Sequence, residues 1–191
     1  IPYLHVDIDD EDSLSERFTR DTARKLIDIA VIRLPRISNF TDFAPFERYE
    51  NVSLRYVAGP RDLHQPDLIL LPGTKSTMAD LLWMRQNGLE AAVQKLAASG
   101  TLVLGVCGGY QMLGSAIHDP QGVEHGTPGS VRGLGLLPIE TTFLPEKSRT
   151  RVQATVTAGP LAGARLDGYE IHMGRTEVKG RPFCVLDSGQ P

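Results

Sequence analysis

The sequence predicts an α/β chain, with a helix-flanked parallel sheet in its first half and a β-rich second half. Between Leu26 and Val106, apolar runs of strand length alternate with helical patterns, as successive β–α units require. After Gly114 the helical period is lost, and short β-branched runs are separated by Gly- and Pro-rich turns. The length of 191 residues with 41% apolar content suits one core with an appended segment.

The elements follow in order. "LIDIAVIRL" (Leu26–Leu34) is nearly continuously apolar, as a strand covered on both faces should be. "SNFTDFAPFERYE" offers Ser38, Asn39 and Thr41 as caps for a short helix interrupted near Pro45. "VSLRYVAG" alternates and ends at Gly59-Pro60, and "PDLILLPG" gives a third strand closed by Pro72-Gly73. In "TMADLLWMRQNG", Thr77 and Asp80 form a capping-box-like pair, Trp83 packs, and Asn87-Gly88 stops the helix. Leu89, Ala92, Val93 and Leu96 give the next helix its apolar face. "TLVLGV" reads as a fourth buried strand. "HDPQGVEHGTPGSVRGLG" reads as a loop, and "LLPIETTFL", "RTRVQATVT" and "GYEIHMGRTEV" as three short antiparallel strands.

A net charge of −3 speaks against a nucleic-acid partner, which favours a basic stripe. No apolar run approaches the roughly 18 residues of a membrane span, so no membrane partner is expected. The acidic stretch "DIDDEDSL" fails as a calcium loop, because Asp12 and Phe18 stand where Gly and Glu are needed. Cys107 and Cys184 lie far apart without a CxxC pair, which fits a reducing, cytoplasmic setting and speaks against a structural zinc site, with a disulfide between them as the weaker alternative.

Cys107 lies in "TLVLGVCGGYQMLG", in the order strand, tight turn, helix. This is the thiol form of the nucleophile elbow. Gly105 and Gly109 relieve crowding where strand and helix meet, and the Gly108 N–H is placed to bind an oxyanion. The alternative is a small buried residue in a glycine-rich corner. "LILLPGTKST" ends a neighbouring strand in a loop whose Gly73 or Thr74 N–H could supply a second oxyanion donor. It lacks the first glycine of a phosphate loop, so nucleotide binding there is rejected. Gln111 either meets substrate or faces outward from its helix.

"LLPGTKSTMADLLWMRQNGL" with "LVLGVCGGYQMLG", continued by "HDPQGVEHG", "GLGLLPIETTF" and "GYEIHMGRT", resembles the class I glutamine amidotransferase domain of the cobalamin-pathway amidases, within them the cobyric acid synthase family. The resemblance covers essentially the whole chain. It implies a flavodoxin-like, class I amidotransferase fold. It implies glutamine hydrolysis through a cysteine thioester, and ammonia delivery to a synthetase domain. That domain would use MgATP to amidate four peripheral carboxylates of a corrinoid, starting from the adenosylated a,c-diamide. No cofactor is expected on the amidotransferase domain itself. By the same resemblance Cys107 matches the nucleophile, and the backbones of Gly73 and Gly108 match the oxyanion donors. Residues 1–25 match the tail of an upstream ATP-binding domain, and 26–191 the amidotransferase domain.

A cysteine of this kind needs a proton-transfer histidine. His5 falls in the connector, His64 in a solvated loop, and His118 and His125 in the polar loop after the elbow. His172 is the best internal candidate, with Glu170 on the same strand face. The alternative makes Tyr169, Ile171 and Met173 the core face. The resemblance places the catalytic histidine in a later "TYxHG"-like motif, absent here, and gives His172 a supporting role. On that reading the domain is truncated after Pro191 and turns glutamine over poorly. Competing readings are cobyrinic acid a,c-diamide synthase, a lipid II amidotransferase subunit, a non-catalytic amidotransferase-like module, and another α/β cysteine hydrolase. Cys184 is expected to be a buried strand residue.

Overall fold

The computed structural model describes residues 24–124 and 126–188. The connector and His5, in residues 1–23, lie outside them, as does His125.

Four parallel strands form the first sheet, in the order β2-β1-β3-β4. They are β1 (Ile27–Ile32), β2 (Val52–Val57), β3 (Leu68–Leu71) and β4 (Leu102–Gly105). β1 is buried on both faces from Asp28 to Ile32, as its apolar run predicts. Asp28 interrupts that run without leaving a buried charge exposed to apolar surroundings. Its carboxylate accepts from Arg55 Nε at 2.9 Å and from the Ser53 hydroxyl at 3.1 Å, which offsets its desolvation.

The segment with Pro45 is a 3₁₀ helix, Phe40–Arg48, and Asn39 before it has φ 51° with no side-chain cap. A proline inside the segment removes one backbone donor, which the tighter winding tolerates in a short piece. α1 (Pro60–Leu63) is one turn that the sequence reading missed. α2 (Thr77–Gln86) and α3 (Leu89–Ala98) agree with expectation, and Gly88 at φ 84° joins them. Trp83 packs partly buried against the main core.

The predicted capping box does not form. Ser76 is the N-cap and makes no side-chain cap bond. Glu124, from a distant loop, instead accepts from the N–H groups of Thr77 and Met78. Asp119 shapes that loop by accepting from the N–H groups of Val123 and Glu124, at 2.7 and 2.9 Å.

β4 corrects a second expectation. It is an edge strand among the described residues, with Leu102 69% and Leu104 51% exposed. Its apolar composition matches a buried strand, but only β3 flanks it.

The second sheet has the order β6-β5-β7-β8, with β9 paired to the far end of β7. Its strands are β5 (Ala116–Asp119), β6 (Gly129–Arg132), β7 (Ile139–Val156), β8 (Arg165–Val178) and β9 (Cys184–Leu186). The segment read as a loop after the elbow thus contains two strands, and His118 lies on β5, within 2.9 Å of Ser130 Oγ. "LLPIETTFL" and "RTRVQATVT" are parts of one strand, β7, whose pairing with β8 shifts register between Thr142 and Lys147. A bulge bends a strand without ending it, so turn signals in the sequence read as a break.

The sheets meet around α4 (Gly108–Met112). The Leu134 N–H donates to Met112 O and the Leu136 and Leu137 N–H groups to Leu113 O, all within 2.9 Å. Ser115 donates to Ile139 O at 2.8 Å. Backbone bonds therefore fasten the start of the second sheet to the helix that follows Cys107.

Candidate active site

The strand order places a crevice at the carboxyl ends of β1 and β3, where connections leave to opposite sides. This is where open α/β sheets bind ligands. The loops after these strands are tied together. Ile37 bridges Thr74, and the Ser38 N–H donates to Gly73 O at 2.9 Å. Cys107 enters the same crevice from the end of β4.

Cys107 has φ 51° and ψ −113°, a backbone state that costs a non-glycine residue about 1–3 kcal/mol. Its neighbours enforce it. A Cβ on Gly109 would lie 2.1 Å from Leu71 O, so the chain turns there only with glycine. The Val106 N–H is fixed on Leu71 O at 2.9 Å, and the Gln111 N–H on Cys107 O at 3.1 Å. The thiol is exposed at the tip of this turn.

Gly73 is buried beside it, and a Cβ there would stand 3.7 Å from Cys107 Cβ. The N–H groups of Gly73, Thr74 and Gly108 find no acceptor among the described residues. Such donors beside a nucleophile suit an oxyanion. Asp80, fully buried, holds the Gly73–Thr74 loop. It accepts from Thr74 Oγ1 at 2.6 Å, from the Arg36 N–H at 3.1 Å and from the Arg36 guanidinium at 3.2 Å. The sequence reading assigned Asp80 to a cap and missed this role. Its nearness in sequence to "PGTKST" was the available signal.

A cavity of about 890 Å³ opens over the thiol, lined by Cys107, Gln111, Glu170, His172, Arg175 and Cys184 among others. Gln111 is buried and accepts from Thr77 Oγ1 at 3.4 Å, which leaves its amide nitrogen without a partner among the described residues. The helix-surface alternative for Gln111 is therefore wrong.

Residues 28–190 match the family described as the CobB/CobQ-like glutamine amidotransferase domain. The chain belongs to that family. The cobyric acid synthase of Ruminiclostridium cellulolyticum is 57% identical over 181 residues, covering 92% of this chain and 35% of the relative. That of Lachnoclostridium phytofermentans is 55% identical with the same coverage of both chains. That of Moorella thermoacetica is 49% identical over 175 residues, 88% of this chain and 34% of the relative. This chain thus spans only 34–35% of the length of these curated relatives. PurLQS from Thermotoga maritima shares the fold at TM-score 0.60 and 16% identity, over 84% of this chain and 74% of that one. A crystal structure of a glutamine amidotransferase does so at TM-score 0.60 and 15% identity, over 85% and 82%. The expected amidotransferase-like α/β fold is the fold observed.

In this amidotransferase domain β8 lines the cavity with Tyr169 and Ile171 as well as with Glu170 and His172. Tyr169, Ile171 and Met173 are 69%, 48% and 37% exposed, so the reading that made them a core face is inverted. Glu170 and His172 point the other way and meet, with Nε2 2.7 Å from Glu170 Oε1. A carboxylate oxygen can only accept, so Nε2 carries the hydrogen and donates. His172 has only Nδ1 left as a proton acceptor.

Cys184 also departs from expectation. It is half-buried on β9 and lines the cavity. Burial pushes the Tyr110 phenol above its ordinary pKa, and the nearby Cys184 adds to the rise. His64 is exposed in its loop as predicted, and Lys75 is exposed. Among the described residues no helix is long and apolar enough to cross a membrane.

Proposed function

We propose that this domain hydrolyses glutamine with Cys107 as nucleophile and serves as the ammonia source of a cobyric acid synthase. The observation that carries the reading is the strained thiol at φ 51° beside the N–H groups of Gly73 and Gly108, which are unpaired among the described residues. The thiolate attacks the carboxamide carbon, and the two N–H groups bind the tetrahedral oxyanion. The C–N bond then breaks, the amine takes a proton and leaves as ammonia, and a thioester remains. Water cleaves the thioester, giving glutamate and restoring the thiol.

Gln111 binds the substrate from the cavity floor, and His172 has a supporting role, since its Nε2 is engaged by Glu170. The resemblance assigns proton transfer to a histidine of a "TYxHG"-like motif that these 191 residues do not contain. Residues 1–25 are assigned to the end of an ATP-binding domain. The relatives' name, cobyric acid synthase, supports corrinoid carboxylates as the acceptor, and their activation by MgATP outside this domain is carried over from the resemblance alone. That name favours this substrate over those of the competing amidases.

The test is labelling with 6-diazo-5-oxo-L-norleucine, followed by mass spectrometry. One adduct at Cys107, absent from Cys107→Ala, supports the reading. No adduct on a folded chain points to an inert module. Ammonia release by these 191 residues at the rate of a full-length synthase would make His172 the base.

A further inference from the structure

In the stretch of β8 that lines the cavity, Glu170 and His172 occupy the half-buried face. A half-buried polar face against a cavity is the informative departure from ordinary burial. Glu170 is bound on one carboxylate oxygen only, by His172 Nε2. Its second oxygen has no partner among the described residues, and its side chain is 31% exposed. It lines the cavity that holds Cys107 and Gln111. A carboxylate that is pinned on one side and open on the other is arranged to receive a cation. The bond to His172 removes side-chain freedom before any ligand arrives, so less ordering entropy is lost on binding.

We propose that Glu170 receives the α-ammonium of the amide substrate, with His172 as its positioning residue. This rests on the glutamine reading above and deepens it. It makes the site selective for an α-amino acid amide over an amide that lacks the amino group. Arg175 also lines the cavity and has no carboxylate partner among the described residues. It cannot serve an ammonium, and so provides a charged control on the same strand.

The experiment measures the alkylation rate of Cys107 by iodoacetamide against rising L-glutamine or glutaramate. Glutaramate keeps the amide and the carboxylate but has no amino group. In the unaltered protein glutamine is expected to protect at concentrations about tenfold lower than glutaramate. That is the low end for a hydrogen bond to a charged group, because Glu170 is partly solvated. In Glu170→Gln the ratio falls toward one, through weaker protection by glutamine and not by glutaramate, each read against that variant's own unliganded alkylation rate. Glu170→Asp restores part of the ratio, and Arg175→Gln leaves it intact.

An unchanged ratio in Glu170→Gln overturns the proposal. So does equal weakening of both ligands, which marks a general packing role. Failure of glutamine to protect the folded, unaltered protein overturns the glutamine reading and this assignment together. Protection with an unchanged ratio in Glu170→Gln overturns this assignment alone.

Discussion

The Thr74 hydroxyl donates to the buried Asp80 carboxylate at 2.6 Å, and through it the first turn of α2 holds the loop that carries Gly73. Asp80→Ala leaves Thr74 and Arg36 without their acceptor. Unfolding stability is expected to fall by about 2 kcal/mol, moderated because Arg36 is half-exposed. Labelling of Cys107 by 6-diazo-5-oxo-L-norleucine is expected to slow by more than the loss of folded protein accounts for. Denaturant titration and labelling on the same sample separate the two effects.

The positive φ of Cys107 sets stability against chemistry at one position. Glycine occupies this conformation without a Cβ penalty, whereas alanine does not. Cys107→Gly is therefore expected to be about 1 kcal/mol more stable than Cys107→Ala. Neither variant should carry a glutamine-analogue adduct. Equal denaturation midpoints for the two would show that the turn is not strained.

Gly109 admits no side chain. The 2.1 Å approach of a Cβ to Leu71 O forces β3 and α4 apart in Gly109→Ala, at a cost of about 3 kcal/mol. Gly100→Ala is a useful comparison, since nothing lies within 4 Å of its Cβ but its φ is 98°. It should lose only about 1 kcal/mol. Thermal unfolding of both variants checks the difference.

Cys184 shares the cavity without a place in the chemistry above. Cys184→Ser is expected to label at Cys107 as fast as the unaltered protein. In Cys107→Ser, a bulky maleimide on Cys184 should fill the cavity and weaken glutamine binding at least tenfold, read by calorimetry. Slow labelling in Cys184→Ser would instead draw this thiol into the reaction.

Glu124 caps α2 from outside. Glu124→Ala removes the acceptor for two N–H groups at a helix N-terminus and is expected to cost about 1 kcal/mol. Hydrogen exchange at Thr77 and Met78 should rise more than at Leu89. A uniform rise would mean global destabilisation and no local cap.

The elbow and the first sheet were legible because their signals are local. β-branched runs, glycines two residues either side of Cys107 and the Pro72-Gly73 stop each act within a few residues. What was missed depends on distant partners. Glu124 caps a helix 47 residues earlier, so Thr77 and Asp80 looked like a self-contained box. β5 and β6 lie within Gly- and Pro-rich sequence and exist through pairing with each other and with β7. The alternation of Tyr169, Ile171 and Met173 gave the period of β8 correctly. It could not say which side is the less exposed, because Glu170 and His172 take the half-buried side and leave Tyr169, Ile171 and Met173 exposed.

The thiol and the wall opposite it belong to different sheets, joined through backbone bonds around α4. A side-chain exchange on β8 leaves those bonds intact. The amide that the cavity accepts can therefore be altered along one hairpin without re-engineering the reactive turn, which makes β8 the natural target for redirecting this domain to a different ammonia donor.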